Sequence, residues 1–477
     1  MKKLILCLSL LLWQCQKETP LPPAIADKTI DYPAKDLADI QKSGKLVVLT
    51  RYNANTYFLY KGQEMGFEYE LLKKYAQSIG VDLEIKTPQS WDSLTLMLKQ
   101  GEGDLIAANL TITSERKKEL AFVTHHNTTR QMLIQKKPSN WQSLKVHQLE
   151  KKLLRNPLRL IGEKVHIRPS SSYAARLKNL SNEMGGDIIP IYVAEDTETE
   201  TLLAQVHTGK IKYTIADENL AKLHSFYMPN LDIRTPISFP QRIAWAINPK
   251  ATKLQSSINQ WLQTLKANQN PEYYVIYNKY YKNKRAIKKR QQSEFYSLKG
   301  NKISIFDADF KKHQTDKFDW RLLAAQAYQE SHFDPQTKSW AGALGLMQLF
   351  PTTAQELGDY DLTNPDQNIA AAVKYLNKVY KHYWKDLPPD QALAFTLASY
   401  NAGPGHVLDA QRLAKSKGLN PQVWEGHVSE MILLLAQEKY YTLPEVKYGY
   451  CRGQEPYNYV KEILHRFAVY KKRVPKP

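Results

Sequence analysis

The residues best suited to chemistry are Glu330 and the run around it: Gln329-Glu330-Ser331-His332-Phe333-Asp334-Pro335, then Ser339-Trp340-Ala341-Gly342-Ala343-Leu344-Gly345-Leu346-Met347-Gln348. One carboxylate stands at the end of an apolar stretch, just ahead of a glycine-punctuated loop. The spacing predicts a helix from about Asp319 to Ser331, stopped by Pro335. Leu323, Ala327 and Glu330 fall at i, i+4 and i+7 and share one face, and Trp320, Ala324 and Tyr328 widen the apolar stripe. Glu330 therefore occupies a place where the core pattern asks for an apolar residue. Burial disfavours the charged form and raises a carboxyl pKa. A glutamate held partly protonated near neutral pH can act as a general acid, for instance toward a glycosidic oxygen. Taken alone, the stretch fits equally a buried Glu satisfied by hydrogen bonds or an exposed Glu at a helix end. Glycosidases that work with two carboxylates need a second acid. The nearest candidate, Asp334, suits capping the turn before Pro335 better.

The elements that must position this residue divide the chain into regions. Residues 1–15 read as an export signal and 16–41 as a tether. Residues 42–266 alternate short apolar strands with amphipathic helices, and 267–309 form a connector rich in Tyr, Lys, Arg and Asn. Residues 310–477 carry helical signals. In the alternating region, strands are predicted at 46–49, 81–85 and 105–108 and helices at 69–78 and 91–99. A second set of strands follows at 165–167, 188–193 and 213–216. Such alternation predicts two α/β lobes with parallel sheets. In the last region, helices are predicted over 369–380, 391–399 and 423–435, with Thr353 and Glu356 as a capping box after Pro351. The expected fold is multidomain: a two-lobed α/β unit followed by an all-helical domain.

Composition narrows the classes. With 43% hydrophobic residues in 477, wholesale disorder is excluded and two or three domains are expected. The formal net charge of +19 fits an anionic surface or polymer, and equally plain solubility. No nucleic-acid motif appears, no Cys/His cluster has metal-ligand spacing, and no cofactor motif is present. At the N-terminus Lys2 and Lys3 precede the apolar run Leu4–Trp13, which is too short to span a bilayer, and Cys15 closes it. This resembles a bacterial lipoprotein signal, which implies lipidation at Cys15. Of the three cysteines only Cys451 lies in the folded part, so no intrachain disulfide is expected.

Four motifs in order carry a family resemblance over about 310–474: Glu330-Ser331, Gly345-Leu346-Met347-Gln348, Ala398-Ser399-Tyr400-Asn401-Ala402-Gly403, and Glu455-Pro456-Tyr457-Asn458-Tyr459-Val460. The region resembles the lysozyme-like transglycosylase domain of bacterial lytic murein transglycosylases. That resemblance implies that Glu330 protonates the bridging oxygen of a peptidoglycan strand. The same group, now ionised, then helps the muramoyl C6 hydroxyl attack C1, leaving a 1,6-anhydro end. It also implies that Ser339 and Tyr459 lie beside the sugar. In this reading Gly345 lets the backbone approach the sugar and Met347 keeps Glu330 dry. Gln348 reaches toward N-acetyl groups, and the Tyr400 hydroxyl holds the Glu330 carboxyl. Asn401 and Gly403 suit a turn at a helix end. Without the resemblance, plain core packing accounts for Met347 and the tyrosines. Ala372 departs from the family, which often has glycine there.

The alternating region resembles the extracellular solute-binding family that captures amino acids. The residues concerned are Gly66-Phe67-Glu68-Tyr69-Glu70-Leu71, Gly103-Asp104-Leu105-Ile106-Ala107, Thr111-Ile112-Thr113-Ser114-Glu115-Arg116, Ser170-Ser171-Ser172-Tyr173 and Ala216-Asp217-Glu218-Asn219. The resemblance implies that Arg116, beside Thr111, clamps a ligand carboxylate and Asp217 takes an ammonium. Ser171 or Ser172 adds hydrogen bonds from a helix N-terminus. The residues alone also fit a solvated Arg116 and a helix-capping Asp217. The two domains together resemble the membrane-bound murein transglycosylase F type. This implies a periplasmic enzyme attached to the outer membrane, with glycan strands as substrate and muropeptides or amino acids at the first domain.

Overall fold

The computed structural model describes residues 34–267, 271–298 and 302–474. The signal segment and Cys15 lie outside these residues. Two sheets form the first half. One has the strand order Asp82–Lys86, Lys45–Leu49, Leu105–Ile106, Ala246–Ile247, Ala121–Phe122. The other runs Ile189–Tyr192, Lys164–Ile167, Tyr213–Asp217, Gln131–Lys136, Leu231–Pro236. The predicted strands and helices fall in place, with ends shifted by a residue or two. Both sheets are mixed rather than purely parallel. Ala246–Ile247 runs antiparallel to Leu105–Ile106, and Gln131–Lys136 antiparallel to Tyr213–Asp217. The chain crosses between the lobes and returns, so each sheet receives strands travelling the opposite way. The crossings pair as a short antiparallel ribbon, Asn127–Thr129 with Gln241–Ile243.

Two expected boundaries move. Residues 34–43 belong to the first lobe rather than to a tether. Leu37–Ser43 is a helix with Ile40 fully buried, and Asp36 caps two helices at once. Its carboxylate accepts from Leu37 N–H at 2.8 Å, Leu254 N–H at 2.7 Å and Lys253 N–H at 3.1 Å. The expected connector is also core. Tyr273, Ile276, Tyr280, Tyr281, Ile287 and Tyr296 are buried against the first lobe, and Phe67 packs edge-on against Tyr273, Tyr277 and Tyr281. The tyrosine enrichment that made the segment look polar is its buried face; an aromatic body with a hydroxyl tip fits a core whose edge is wet.

The last region is helical around Phe310, Phe318, Trp320, Trp384 and Phe395, all nearly or fully buried. At its centre the helix Trp320–Ser331 packs on the long helix Gln454–Arg473. Asp319 caps the first of these, accepting from Arg321 N–H at 2.9 Å. The capping box expected at Thr353 does not form, because Phe350 occupies the cap and Pro351 the first helical position. The helix expected over 423–435 is broken by non-helical backbone at Glu425 and Gly426.

The two halves share an apolar junction. The hairpin Phe58–Tyr60/Gln63–Met65 turns at Lys61 and Gly62, both at positive φ, the signature of a tight primed turn. Leu59 is buried in the core of the helical domain. The Tyr470 hydroxyl donates to the Gly62 carbonyl at 2.9 Å, and His465 meets Glu64 at 3.2 Å. A Cβ on Gly62 would lie 2.5 Å from the Tyr470 oxygen and 2.7 Å from the Phe333 ring. Gly62→Ala is therefore expected to cost about 1–3 kcal/mol in stability. Calorimetry should show a lowered melting transition, and an unchanged melt would count against a tight junction.

Candidate active site and ligand cleft

Glu330 lies one residue before the end of the helix Trp320–Ser331. The helix is stopped by a left-handed pair, His332 at φ 53° and Phe333 at φ 63°, rather than directly by Pro335. The Tyr459 hydroxyl, on the helix Gln454–Arg473, donates to Glu330 Oε1 at 2.5 Å. Burial pushes the Glu330 carboxyl up to about 8, against the hydrogen bond from Tyr459, which pulls it down. No charged side chain among the described residues contributes to that shift. Asp334 is exposed and accepts from Gln336 N–H at 3.0 Å, as a turn residue.

Behind Tyr459 stands Gln326, fully buried one turn before Glu330, whose Nε2 donates to the Tyr459 oxygen at 3.0 Å. An amide N–H can only donate. It therefore occupies the phenol oxygen as acceptor and leaves the phenol proton aimed at Glu330 Oε1. A proton carried by Glu330 then sits on Oε2. Gln326 escaped the sequence reading because a lone Gln in an apolar helix carries no motif; its signal was its place at i−4 from the acid, on the same face.

The Gly345–Gln348 loop is built from inside. Asn368, fully buried and not expected as a site residue, pins it: Oδ1 accepts from Met347 N–H at 2.8 Å, and Nδ2 donates to the Leu344 carbonyl at 3.0 Å and the Leu362 carbonyl at 3.1 Å. Gly345 has φ 79°, and a Cβ there would lie 2.4 Å from both Asn368 Nδ2 and the Leu362 oxygen. Its glycine is accounted for by this internal contact rather than by approach to a sugar. Gln348 donates through Nε2 to the Thr337 carbonyl at 3.0 Å and the Gly345 carbonyl at 2.8 Å, so its amide nitrogen serves the loop rather than N-acetyl groups. The Ser331 hydroxyl ties the helix to the loop through the Leu346 carbonyl at 2.8 Å.

Tyr400 does not hold the carboxyl as expected. Its hydroxyl donates to the Met347 carbonyl at 2.8 Å, while the charge of Glu330 is still felt at its ring. Tyr459 takes the expected role instead. Met347 is fully buried in the helical core. Ser339 accepts from Ala343 N–H at 2.9 Å through Oγ and closes the outer part of the loop. Asn401 is exposed in the last turn of Pro389–Ala402. The structure thus gathers Glu330, Tyr459, Tyr400 and the Met347 backbone around one point, with Ser339, Gly345 and Gln348 shaping the neighbouring loop.

A second site lies between the lobes. Thr111, Arg116, Ser171, Ser172 and Asp217 all line one cleft, with Trp91. Arg116 Nη1 donates to the Thr111 carbonyl at 2.9 Å. Asp217 Oδ2 accepts from Asn109 at 3.1 Å, while its buried Oδ1 has no partner. Burial pushes the Asp217 carboxyl up to about 7, against the neighbouring Tyr173 hydroxyl and the charges of Arg116 and Arg168. Ser171 Oγ donates to the Arg168 carbonyl at 2.7 Å, and Ser172 Oγ accepts from Gln131 at 3.1 Å. The lobes are tied across the cleft by Arg51 and Glu198 at 2.5 Å.

Comparison with known proteins matches both halves. Residues 307–423 match the Transglycosylase SLT domain, and residues 46–283 match the bacterial extracellular solute-binding proteins, family 3. A membrane-bound lytic murein transglycosylase F of Desulfosudis oleivorans is 37% identical over 442 residues, 92% of each chain. The protein of that name from Aliivibrio fischeri is 31% identical over 90% of this chain and 84% of its own. Among solved structures, the P235GK mutant of ArgBP from T. maritima is similar over 51% of this chain and 98% of its own, at 23% identity and TM-score 0.43. With both domains matched and identity sustained along nearly the whole length, the chain belongs to the membrane-bound lytic murein transglycosylase F family.

Proposed function

We propose that the helical domain cleaves the β-1,4 bond between MurNAc and GlcNAc in peptidoglycan and closes the muramoyl end as a 1,6-anhydro ring. The observation that carries this reading is a single half-buried carboxyl, raised to about 8 by desolvation, with one hydroxyl donor and, among the described residues, no second acid acting on it. At neutral pH Glu330 is protonated, and Oε2 offers its proton to the bridging oxygen. The C1–O bond breaks, the GlcNAc side leaves as an alcohol, and positive charge develops at C1. Glu330 is now a carboxylate, stabilised by the Tyr459 hydroxyl. It accepts the proton of the muramoyl C6 hydroxyl as that oxygen attacks C1. The acid is regenerated and no water is consumed. A hydrolase of the two-carboxylate type would need a second acid as base or nucleophile, and none accompanies Glu330 among the described residues.

The cleft between the lobes supports a second role, capture of an amino-acid-type ligand such as a free amino acid or a wall-derived peptide end. Arg116 would take the carboxylate and Asp217 the ammonium, so that the first domain reports on wall fragments. Export and lipidation at Cys15 would hold the enzyme at the outer membrane; the name its relatives carry says that they are membrane-bound. Among the described residues no helix is long and apolar enough to cross a membrane.

Glu330→Gln should lower glycan cleavage by about 10²–10⁴-fold, the usual contribution of a general acid, with the fold retained. Products of the wild type should carry anhydro ends, one water lighter than a hydrolase would give, as read by mass spectrometry of digested sacculi. Reducing ends would overturn the mechanism. Because the folded-state pKa is raised, folded protein binds the Glu330 proton more tightly than unfolded chain. Stability from this group is present below the ordinary value near 4.5 and is lost as pH rises to about 8. Activity should fall as pH rises through about 8, where Glu330 loses its proton, and the melting temperature of Glu330→Gln should gain on wild type between pH 5 and pH 8. A constant difference would mean that the carboxyl is not desolvated. At the first domain, titration with soluble muropeptides should release heat that is lost in Arg116→Ala; equal heat from the variant would remove Arg116 from the site.

A further inference from the structure

The cleft holds a cation that the Arg116–Asp217 reading leaves unused. Arg168 is only 6% exposed and lines the cleft beside both. Its guanidinium lies 4.1 Å from the centre of the Trp91 ring. Among the described residues it forms no ion pair and donates no hydrogen bond. Arg51, on the same ring at 5.4 Å, shows the contrast: it is paired with Glu198 and donates to the Pro88 carbonyl at 2.6 Å. An arginine does not escape burial by losing its proton. Stacking on an aromatic face recovers only part of the hydration lost, so a buried guanidinium of this kind calls for an anion.

The carboxylates whose charge reaches Arg168 are Glu198 and Glu195, and neither pairs with it; Glu195 accepts from Ser170 N–H at 3.0 Å. Glu198 is engaged by Arg51 and Asn53. Glu200 accepts from Ala54 N–H at 3.2 Å, and burial, with the charge of Glu198, pushes its carboxyl up to about 7. Asp92 is exposed at the rim. At the centre, two guanidiniums, Arg116 and Arg168, face one carboxylate, Asp217. Their charges leave the centre one positive unit in excess, which a ligand of net charge −1 would balance. The space is small, about 110 Å³.

We propose that the cleft binds an amino acid with two carboxylates and one ammonium, with Arg168, backed by Trp91, receiving the second carboxylate. The Trp91 Nε1 proton, buried and without a partner, is a further donor in the same wall. The proposal rests on the reading that Arg116 and Asp217 hold the amino-acid end. Isothermal titration of the purified mature chain with L-glutamate, D-glutamate, L-glutamine and L-arginine tests it. At least one glutamate should bind tenfold or more tightly than glutamine, which has the same shape without the charge. Arg168→Met should abolish that preference by weakening glutamate tenfold or more and leaving glutamine unchanged; Arg168→Lys should keep part of it. Glutamine or arginine binding as tightly as glutamate would overturn the proposal, and so would an Arg168→Met variant that still prefers glutamate. If that binding still vanished in Arg116→Ala, the amino-acid reading of the cleft would stand while the dicarboxylate failed. No heat from any of the four would overturn the proposal, and silence with muropeptides as well would overturn the underlying reading too.

Discussion

The chemistry of the helical domain depends on partly desolvating one carboxyl while leaving it one hydroxyl donor. Without a countercharge, burial favours the protonated acid; with Tyr459 in place, the anion produced by proton transfer is still tolerated. The surroundings serve that balance. Gln326 orients the phenol from behind, Asn368 holds the loop from below, and Tyr400 fastens the Met347 carbonyl. A lysine or arginine near Glu330 would make the acid too strong a carboxylate to hold its proton. A second carboxylate would invite water as nucleophile. The apolar helix face around Leu323 and Ala327, both fully buried, keeps such groups away.

The cleft of the first domain works by the opposite rule, crowding charge instead of excluding it. Arg51 and Glu198 neutralise each other and draw the lobes together, whereas at the centre Asp217 keeps a buried Oδ1 without a partner and faces the charges of Arg116 and Arg168. Selectivity in such a cleft comes from groups left unpaired by the protein, because a ligand lacking the matching charge must leave them buried and unmet.

Much of this was legible in one dimension. The acid helix announced itself through apolar positions three and four apart, and the strands near 46–49, 165–167 and 213–216 through short apolar runs. Four short motifs, through the family resemblance they carry, point to the candidate site. The role of each motif residue was less legible. Gly345 and Gln348 look in sequence like residues that face sugar, yet each has an internal partner, while Met347 lies in the helical core. The reason is that a loop shaped to hold a ligand must first hold itself, and residues doing so look no different in sequence. Asn368, Gln326 and Arg168 lay outside every motif and became visible only through what they touch. The tyrosine-rich stretch 271–296 misled for a related reason, since phenols read as polar while their rings fill a core.

The hairpin tipped by Lys61 and Gly62 has a wider meaning. Leu59 sits inside the helical domain's own core, and the turn is clasped by Tyr470 near the end of the chain. Lifting out the sugar-cleaving half as a portable module would tear open this seam, expose greasy surface and deprive Tyr470 of its acceptor. Anyone grafting that half onto another binding unit would have to carry the hairpin along, or rebuild the socket it fills.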